Sequence, residues 1–487
     1  MIRRALTVSH HAAWGLLVFS LFGTSLPLVA NLIRTNSVAP AAALFAGWLV
    51  LTWLIPFFFQ GGRLPRQVLP FLLIVLVILV ASFHSFFLEI PPFKGRSPTG
   101  EGLDALVTLA VGSAFYFIAA LFPNDPDKLK TTQRWLNWGG LVIILWSGVQ
   151  VWYVFCCDSA YPDWVRTVHS WFSLRRLFQN RLTGLAYEPS WLAHQLNILY
   201  LPVWLSAVLK RRSAHRTVFG KFIFEDFLFV GGVLTLFFSF SRVGWLAFGI
   251  MLAYVAAGWI ARLLALVRTK IATANFATTW VQRTISILLI AAILAAAVLA
   301  GAGLIQLGGR FDPRLSQLAD KFLSATSFWD LTGRLGFAER VVFWATGWEV
   351  FSDHPFLGVG LGNTGFYFPK SMPSFGYFLN EVNDIFYYRD FIPNTKSIWV
   401  RLLSETGILG FSCFLAWLYV LWQSAKAARD SRSDSVRVFA QAGTFALVTL
   451  LVEGFSIDSF ALPYIWIALG LLTAAANVWQ REDSLPP

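Results

Sequence analysis

The chain has 487 residues, of which 56% are hydrophobic, 16% aromatic and only 13% charged. Soluble chains are about 45–50% apolar and about 25% charged, so a soluble globular protein and a disordered one are both excluded. The net charge of +12 brings nucleic acid to mind, but in so apolar a chain the location of the charges has to be read first.

Stretches long enough to cross a bilayer, about 20 apolar residues each, predict twelve helices near 12–33, 41–59, 68–90, 103–122, 136–157, 185–209, 223–240, 243–265, 285–307, 397–423, 438–455 and 460–479. With the N-terminus inside, the segments left in the cytoplasm hold 21 of the 38 Lys and Arg and eight of the 26 acids. That is +13 inside and −1 outside, the bias expected of a correctly oriented membrane protein. The charge excess therefore reports topology, and no nucleic acid is expected as a partner. Arg3 and Arg4 before an apolar stretch also suit a signal peptide, but the stretch is too long and lacks a clear small-residue cleavage site, so the first helix is expected to stay. Cys156, Cys157 and Cys413 form neither a disulfide framework nor a zinc spacing and read as packing residues.

Three outer segments exceed simple turns. Residues 91–102 are rich in Pro and Gly, and 158–184 carry Arg166, Arg175, Arg176 and Arg181 beside Tyr161, Trp164 and Trp171. Residues 308–396 are too long for a structureless loop and should fold. Within them 333–352 predicts an amphipathic helix, with Phe337, Val341, Trp344, Trp348 and Phe351 on its apolar face. Pro355 stops it, and Gly358, Gly360 and Gly362 follow in a tight turn.

Ionisable groups at or near membrane depth are the informative ones, because they are costly unless paired or functional. Four clusters qualify, all on the outer side. At the start of the sixth helix stand Arg181, Tyr187, Glu188, Pro189, Ser190 and His194; Glu188 is either a helix cap or a functional carboxylate, and the two roles are compatible. Ser239-Phe240-Ser241-Arg242 separates two helices with almost no loop, so Arg242 points at lipid headgroups or into the bundle. Arg310, Arg314, Arg334 and Arg340 lie on the side that the charge bias disfavours. They suit forked contacts with a diphosphate, or local pairing with Asp312, Asp320, Asp330 and Glu339. Asp353-His354-Pro355 precedes Lys396-Ser397 and Glu405; His354 fits a helix C-cap, and Glu405, inside the tenth helix, should be partnered by an Arg. There is no nucleotide-binding glycine loop, metal-diphosphate carboxylate pair, HExxH or nucleophile elbow, so no cofactor or metal is expected.

The stretches SFSRVGWLAF at 239–248, RVVFWATGWEVFSDHPFLGVGLGN at 340–363 and LLSETGILGF at 402–411 resemble, in order and spacing, the O-antigen ligase and O-antigen polymerase superfamily of membrane glycosyltransferases. The resemblance implies an all-α polytopic membrane protein, GT-C-like, with about twelve transmembrane helices in one membrane domain (1–487) and a large, partly helical periplasmic loop (308–396) between helices nine and ten. It implies a bacterial inner-membrane enzyme, both termini cytoplasmic and its site periplasmic. The donor would be an undecaprenyl-diphosphate-linked glycan, transferred with inversion and without metal or nucleotide sugar. Arg242 and Arg340 match the family's motif arginines and would hold the diphosphate. Where ligases of the family carry a catalytic His before the tenth helix, this chain has Lys396, a poor base at an ordinary pKa of about 10.4 and a better diphosphate clamp. The stretch from Arg181 to Ser190 looks more like exopolysaccharide polymerases, which makes Glu188 the expected general base or acceptor-orienting group. Arg181, Arg334, Glu405 and His354 join Lys396 as expected substrate-binding residues. Donor and acceptor are then lipid-linked repeat units in the bilayer, with a flippase and a chain-length regulator as partners. The alternatives are a ligase delivering the glycan to a lipid A-core or to protein, and a twelve-span transporter or flippase, which would show paired halves and midplane charges.

Overall fold

Proline sets the start of many of the helices. It stands at the first helical position of α2 (Pro40–Phe59), α4 (Pro98–Leu121), α5 (Pro126–Cys156), α7 (Pro189–Lys210) and α14 (Pro463–Asp483), where its missing N–H removes no helical hydrogen bond. Ser97 and Asp125 cap α4 and α5 by accepting from the backbone N–H groups of Gly100 and Lys128. The other helices are α1 (Ile2–Phe19), α3 (Leu69–His84), α6 (Asp163–Phe172), α8 (Phe224–Phe238), α9 (Arg242–Thr273), α10 (Phe328–Arg334), α11 (Ala338–Asp353), α12 (Ile398–Ala428) and α13 (Asp434–Glu453). The structure, a computed structural model, describes residues 2–27, 39–157, 161–215, 220–273 and 324–484, with isolated positions 306, 309, 317 and 321.

Among the described residues the fold is all-helical, with no strand and one isolated bridge between Ser25 and Ser173. Nine helical segments there are long and apolar enough to cross a membrane, which makes the chain a polytopic membrane protein. Of the three remaining predicted spans, 223–240 forms α8, only 15 residues long. The stretch 460–479 forms α14, 21 residues long and almost wholly buried, and 285–307 lies outside the described residues. The first helix starts well before residue 12, because the backbone stays helical through the polar His10 and His11.

The chain divides into two units, residues 1–248 with 343–487, and residues 249–342. In the first, α7, α13 and α14 are the most deeply buried helices. α13 packs on α7, α12 and α14; α12 packs on α3, α14 on α4, and α8 on α7 and α5. Polar bonds tie the layers: Ser206 Oγ of α7 donates to the Val438 carbonyl of α13 at 2.8 Å, and Tyr116 of α4 meets Thr473 of α14 at 3.1 Å. Around this centre Phe83, Leu103 and Leu145 expose large apolar side chains, as a surface bathed in lipid requires.

In the second unit, α10 is capped by Ser327, whose Oγ accepts from Asp330 N, and carries an Asp330–Arg334 ion pair at 2.7 Å.

The apolar face expected for 333–352 is not the one α11 buries. Phe343, Thr346, Gly347 and Val350 are buried, whereas Trp348 is exposed. The reason is packing: a Cβ on Gly347 would stand 2.6 Å from the Thr395 methyl, so the helix approaches its neighbour along its small residues.

Candidate functional site

α8 and α9 meet at a turn built by serines. Ser239 Oγ donates to the Leu236 carbonyl at 2.7 Å and accepts from Ser241 N at 3.3 Å. Ser241 caps α9, its Oγ accepting from Gly244 N and its carbonyl from Trp245 N. Phe240 between them has φ +49°. Arg181 pins the turn: Nε donates to Ser239 O at 3.2 Å and Nη2 to Phe240 O at 3.1 Å, while Leu182 N donates to Phe238 O. Arg242 is the first residue of α9 and half-buried. Arg181 and Arg242 are therefore brought to one turn.

Glu188 occupies the N-cap position of α7, but its side chain makes no cap hydrogen bond to the helix backbone. One carboxylate oxygen pairs with Arg175, and Oε2 accepts from the Ser190 hydroxyl at 3.3 Å. Arg175 also lies over the rings of Phe178 and Tyr187. The Glu188 side chain is 36% exposed and reachable. One turn further, His194 does not face this mouth. Its Nδ1 meets Glu453 Oε2 at 2.6 Å in the protein interior, and Asn197 Nδ2 donates to Glu453 Oε1 at 2.6 Å and to the Gly244 carbonyl at 2.8 Å. Next to Glu453, the Gly454 carbonyl accepts from Ile398 N and Ser397 Oγ, at the start of α12. The Glu453 carboxylate thus joins α13 to α7, Asn197 carries the tie on to α9 two residues from Arg242, and the neighbouring Gly454 carbonyl holds the start of α12 just after Lys396. Sequence reasoning missed Glu453, although an acid inside a predicted span was signal enough.

Lys396 has φ +55°, lies over the Phe343 ring and pairs with Glu381 at 3.5 Å. Glu405, buried in α12, has the expected arginine partner: Arg401 Nε donates to it at 2.9 Å, and Arg401 Nη1 donates to the Asp458 carbonyl at 2.6 Å. Beyond Glu405 the helix breaks at Gly407, at φ 64° and ψ −168°. The glycine turn fills the break. Val359 N and Gly360 N donate to the Ser404 and Glu405 carbonyls at 3.0 Å each, and Ile408 N donates to Pro355 O at 2.8 Å. A Cβ on Gly407 would strike the Phe356 carbonyl. His354 stands at the C-cap of α11, its N–H on the Val350 carbonyl and its carbonyl accepting from Gly358 N. Burial holds its imidazole below the ordinary value against the opposing pull of Asp353.

Arg334 and Arg340 belong to the second unit. Arg334 takes the local reading, paired with Asp330 and donating to Ser324 Oγ at 3.1 Å; Arg340 is half-buried near the start of α11. Arg310 and Arg314 lie outside the described residues. Among the described residues no group of three or more His, Cys, Asp or Glu is placed to hold a metal.

Among the described residues the chain is an all-helical polytopic membrane protein in which Arg181 and Arg242 meet at one serine-built turn. Residues 227–415 match the family described as O-antigen ligase, which supports the likeness to the O-antigen ligase and polymerase superfamily. No curated protein matches the chain.

Proposed function

We propose that this protein is a polysaccharide polymerase of the outer face of the bacterial inner membrane, joining undecaprenyl-diphosphate-linked repeat units by metal-independent, inverting transfer. The observation that carries the reading is the turn at Ser239–Arg242, inside the matched segment and held by Arg181 through two hydrogen bonds. A guanidinium at the first position of a helix faces the positive end of the helix dipole, an arrangement that favours a bound anion. The acceptor hydroxyl oxygen forms its bond to the anomeric carbon as the carbon–oxygen bond to the diphosphate breaks. The electron pair leaves on the diphosphate, whose charge Arg242 neutralises, with Arg181 and Lys396 as further cations. The hydroxyl proton passes to Glu188 Oε2, and Glu405 and His354 hold the glycine turn that borders the substrate. Fixed cations aimed at the departing charge are the largest catalytic contribution open to such a site.

The ligase reading keeps one support, the description of the matched family; against it, Lys396 stands where a ligase has its histidine. Deletion of the gene separates the two. Loss of a polymerase leaves single repeat units, whereas loss of a ligase strands full-length polymer on the carrier lipid; an unchanged glycan profile overturns both. In purified protein supplied with a lipid-linked donor, Arg242→Ala should lower the transfer rate by about 10²–10³-fold. Transport of the donor without transfer would instead make the protein a flippase.

A further inference from the structure

A cavity of about 230 Å³ lies at the end of α7 opposite Glu188, where α5, α13 and the connection from α7 to α8 converge. α7 stops there because Arg211 takes φ +53°, its N–H and that of Arg212 closing on the Val208 and Ala207 carbonyls. Two polar wall residues, Gln133 and Ser213, are held by one carboxylate. Glu225, fully buried, accepts from Gln133 Nε2 at 2.9 Å, from the Ser213 hydroxyl and from Ala214 N at 3.1 Å. Those donors are occupied, so recognition falls to the cations that line the same space, Lys130, Arg211 and Arg212. Arg211 Nη1 pairs with Asp226 at 3.0 Å and Arg212 Nη1 with Asp434 at 3.1 Å. Nε and Nη2 of both arginines, and the exposed Lys130 ammonium, have no acceptor among the described residues.

Unused guanidinium and ammonium donors around one space suit the oxygens of a phosphate. The volume is below the about 300–1,000 Å³ of drug-sized sites, enough for a phosphate with a few carbons and too small for a nucleotide. Beside it α8 presents hydrocarbon. Phe227, Val230 and Leu234, at i, i+3 and i+7, are exposed on one face, and the exposed Phe222 adjoins Ile223 of the cavity wall.

We propose that this cavity binds the phosphodiester of an anionic phospholipid, whose acyl chains lie along the exposed face of α8. The phosphate takes donors from Lys130, Arg211 and Arg212, in the way that basic pockets between membrane helices hold anionic headgroups. The lipid is anionic and not zwitterionic, because a headgroup ammonium would meet the same cations. The site shares no residue with the transfer machinery.

The test is native mass spectrometry of the full-length protein titrated with phosphatidylglycerol, phosphatidylethanolamine or inorganic phosphate. Phosphatidylglycerol should bind most tightly, and millimolar phosphate should not displace it. Lys130→Gln removes an exposed cation that has no ion-pair partner among the described residues. It should weaken phosphatidylglycerol binding about fivefold, the effect of one cation beside an anionic headgroup. Adding Arg212→Gln should weaken it further, and Asp434 keeps Arg437 as its partner. Arg63→Gln removes the same charge at an exposed position outside the cavity and should leave binding unchanged. Equal binding of the two lipids, or equal losses in Lys130→Gln and Arg63→Gln, reduces the cations to diffuse surface charge and overturns the proposal. Displacement by phosphate overturns it too, leaving a site for the free anion. Binding needs no turnover, so its failure leaves the transfer reading standing.

Discussion

With Arg175 on one oxygen of Glu188 and the Ser190 hydroxyl on the other at 3.3 Å, the carboxylate is oriented yet half-open, the condition a proton acceptor needs. Glu188→Gln keeps the shape and removes the basicity. The transfer rate of the purified protein should fall by about 10²–10⁴-fold, with the KM for donor little changed; an unchanged rate overturns the base role of Glu188. At this scale the sequence was legible where a charge had to be answered. Glu405 inside a span demanded an arginine, and Arg401 is there one helical turn away. It was not legible where two distant residues answer each other, as His194 and Glu453 do across 259 positions.

Among the elements, α12 depends on a single backbone position. Gly407→Ala puts a Cβ against the Phe356 carbonyl at a positive φ, and should destabilise the protein by about 1–3 kcal/mol, read from thermal unfolding in detergent. The glycines at 407 and 410 were visible in the sequence. The break was not, because it exists only when the turn at 355–360 supplies its hydrogen bonds. α6 carries a pH-dependent contact. His169 is buried, bonds the Arg175 carbonyl at 3.1 Å through Nε2, and has no partner for Nδ1 among the described residues. Burial holds its pKa below the ordinary 6.5, against the opposing effect of that carbonyl. The unfolded chain then takes up this proton more readily than the folded one, so the stability it lends is intact above pH 6.5 and is lost as pH falls below it. Amide exchange in 163–175 should quicken on acidification from about pH 7.5 to about pH 5.5, and His169→Phe should abolish that change.

Across the whole first unit, the Glu453 carboxylate is the shared partner of His194 and Asn197, and Asn197 reaches on to α9. Removing one member of a buried hydrogen-bonded group is costly because the others stay unanswered. Glu453→Leu should therefore destabilise the protein by about 3–5 kcal/mol in thermal unfolding, and adding His194→Phe should recover part of the loss. Helix positions and the polar clusters could be read from composition, whereas the division into two units could not, since nothing local to 248 or 343 marks it.

The break in α12 also bears on how the protein is made. Until residues 355–360 arrive, the Ser404 and Glu405 carbonyls and the Ile408 N–H would face hydrocarbon bare, at several kcal/mol for each such group. Residues 355–360 leave the ribosome before α12 does, so the helix meets a partner already synthesised. Membrane insertion of α12 is then a docking step, and a chain lacking 343–363 should deliver that helix to the bilayer without its completed backbone.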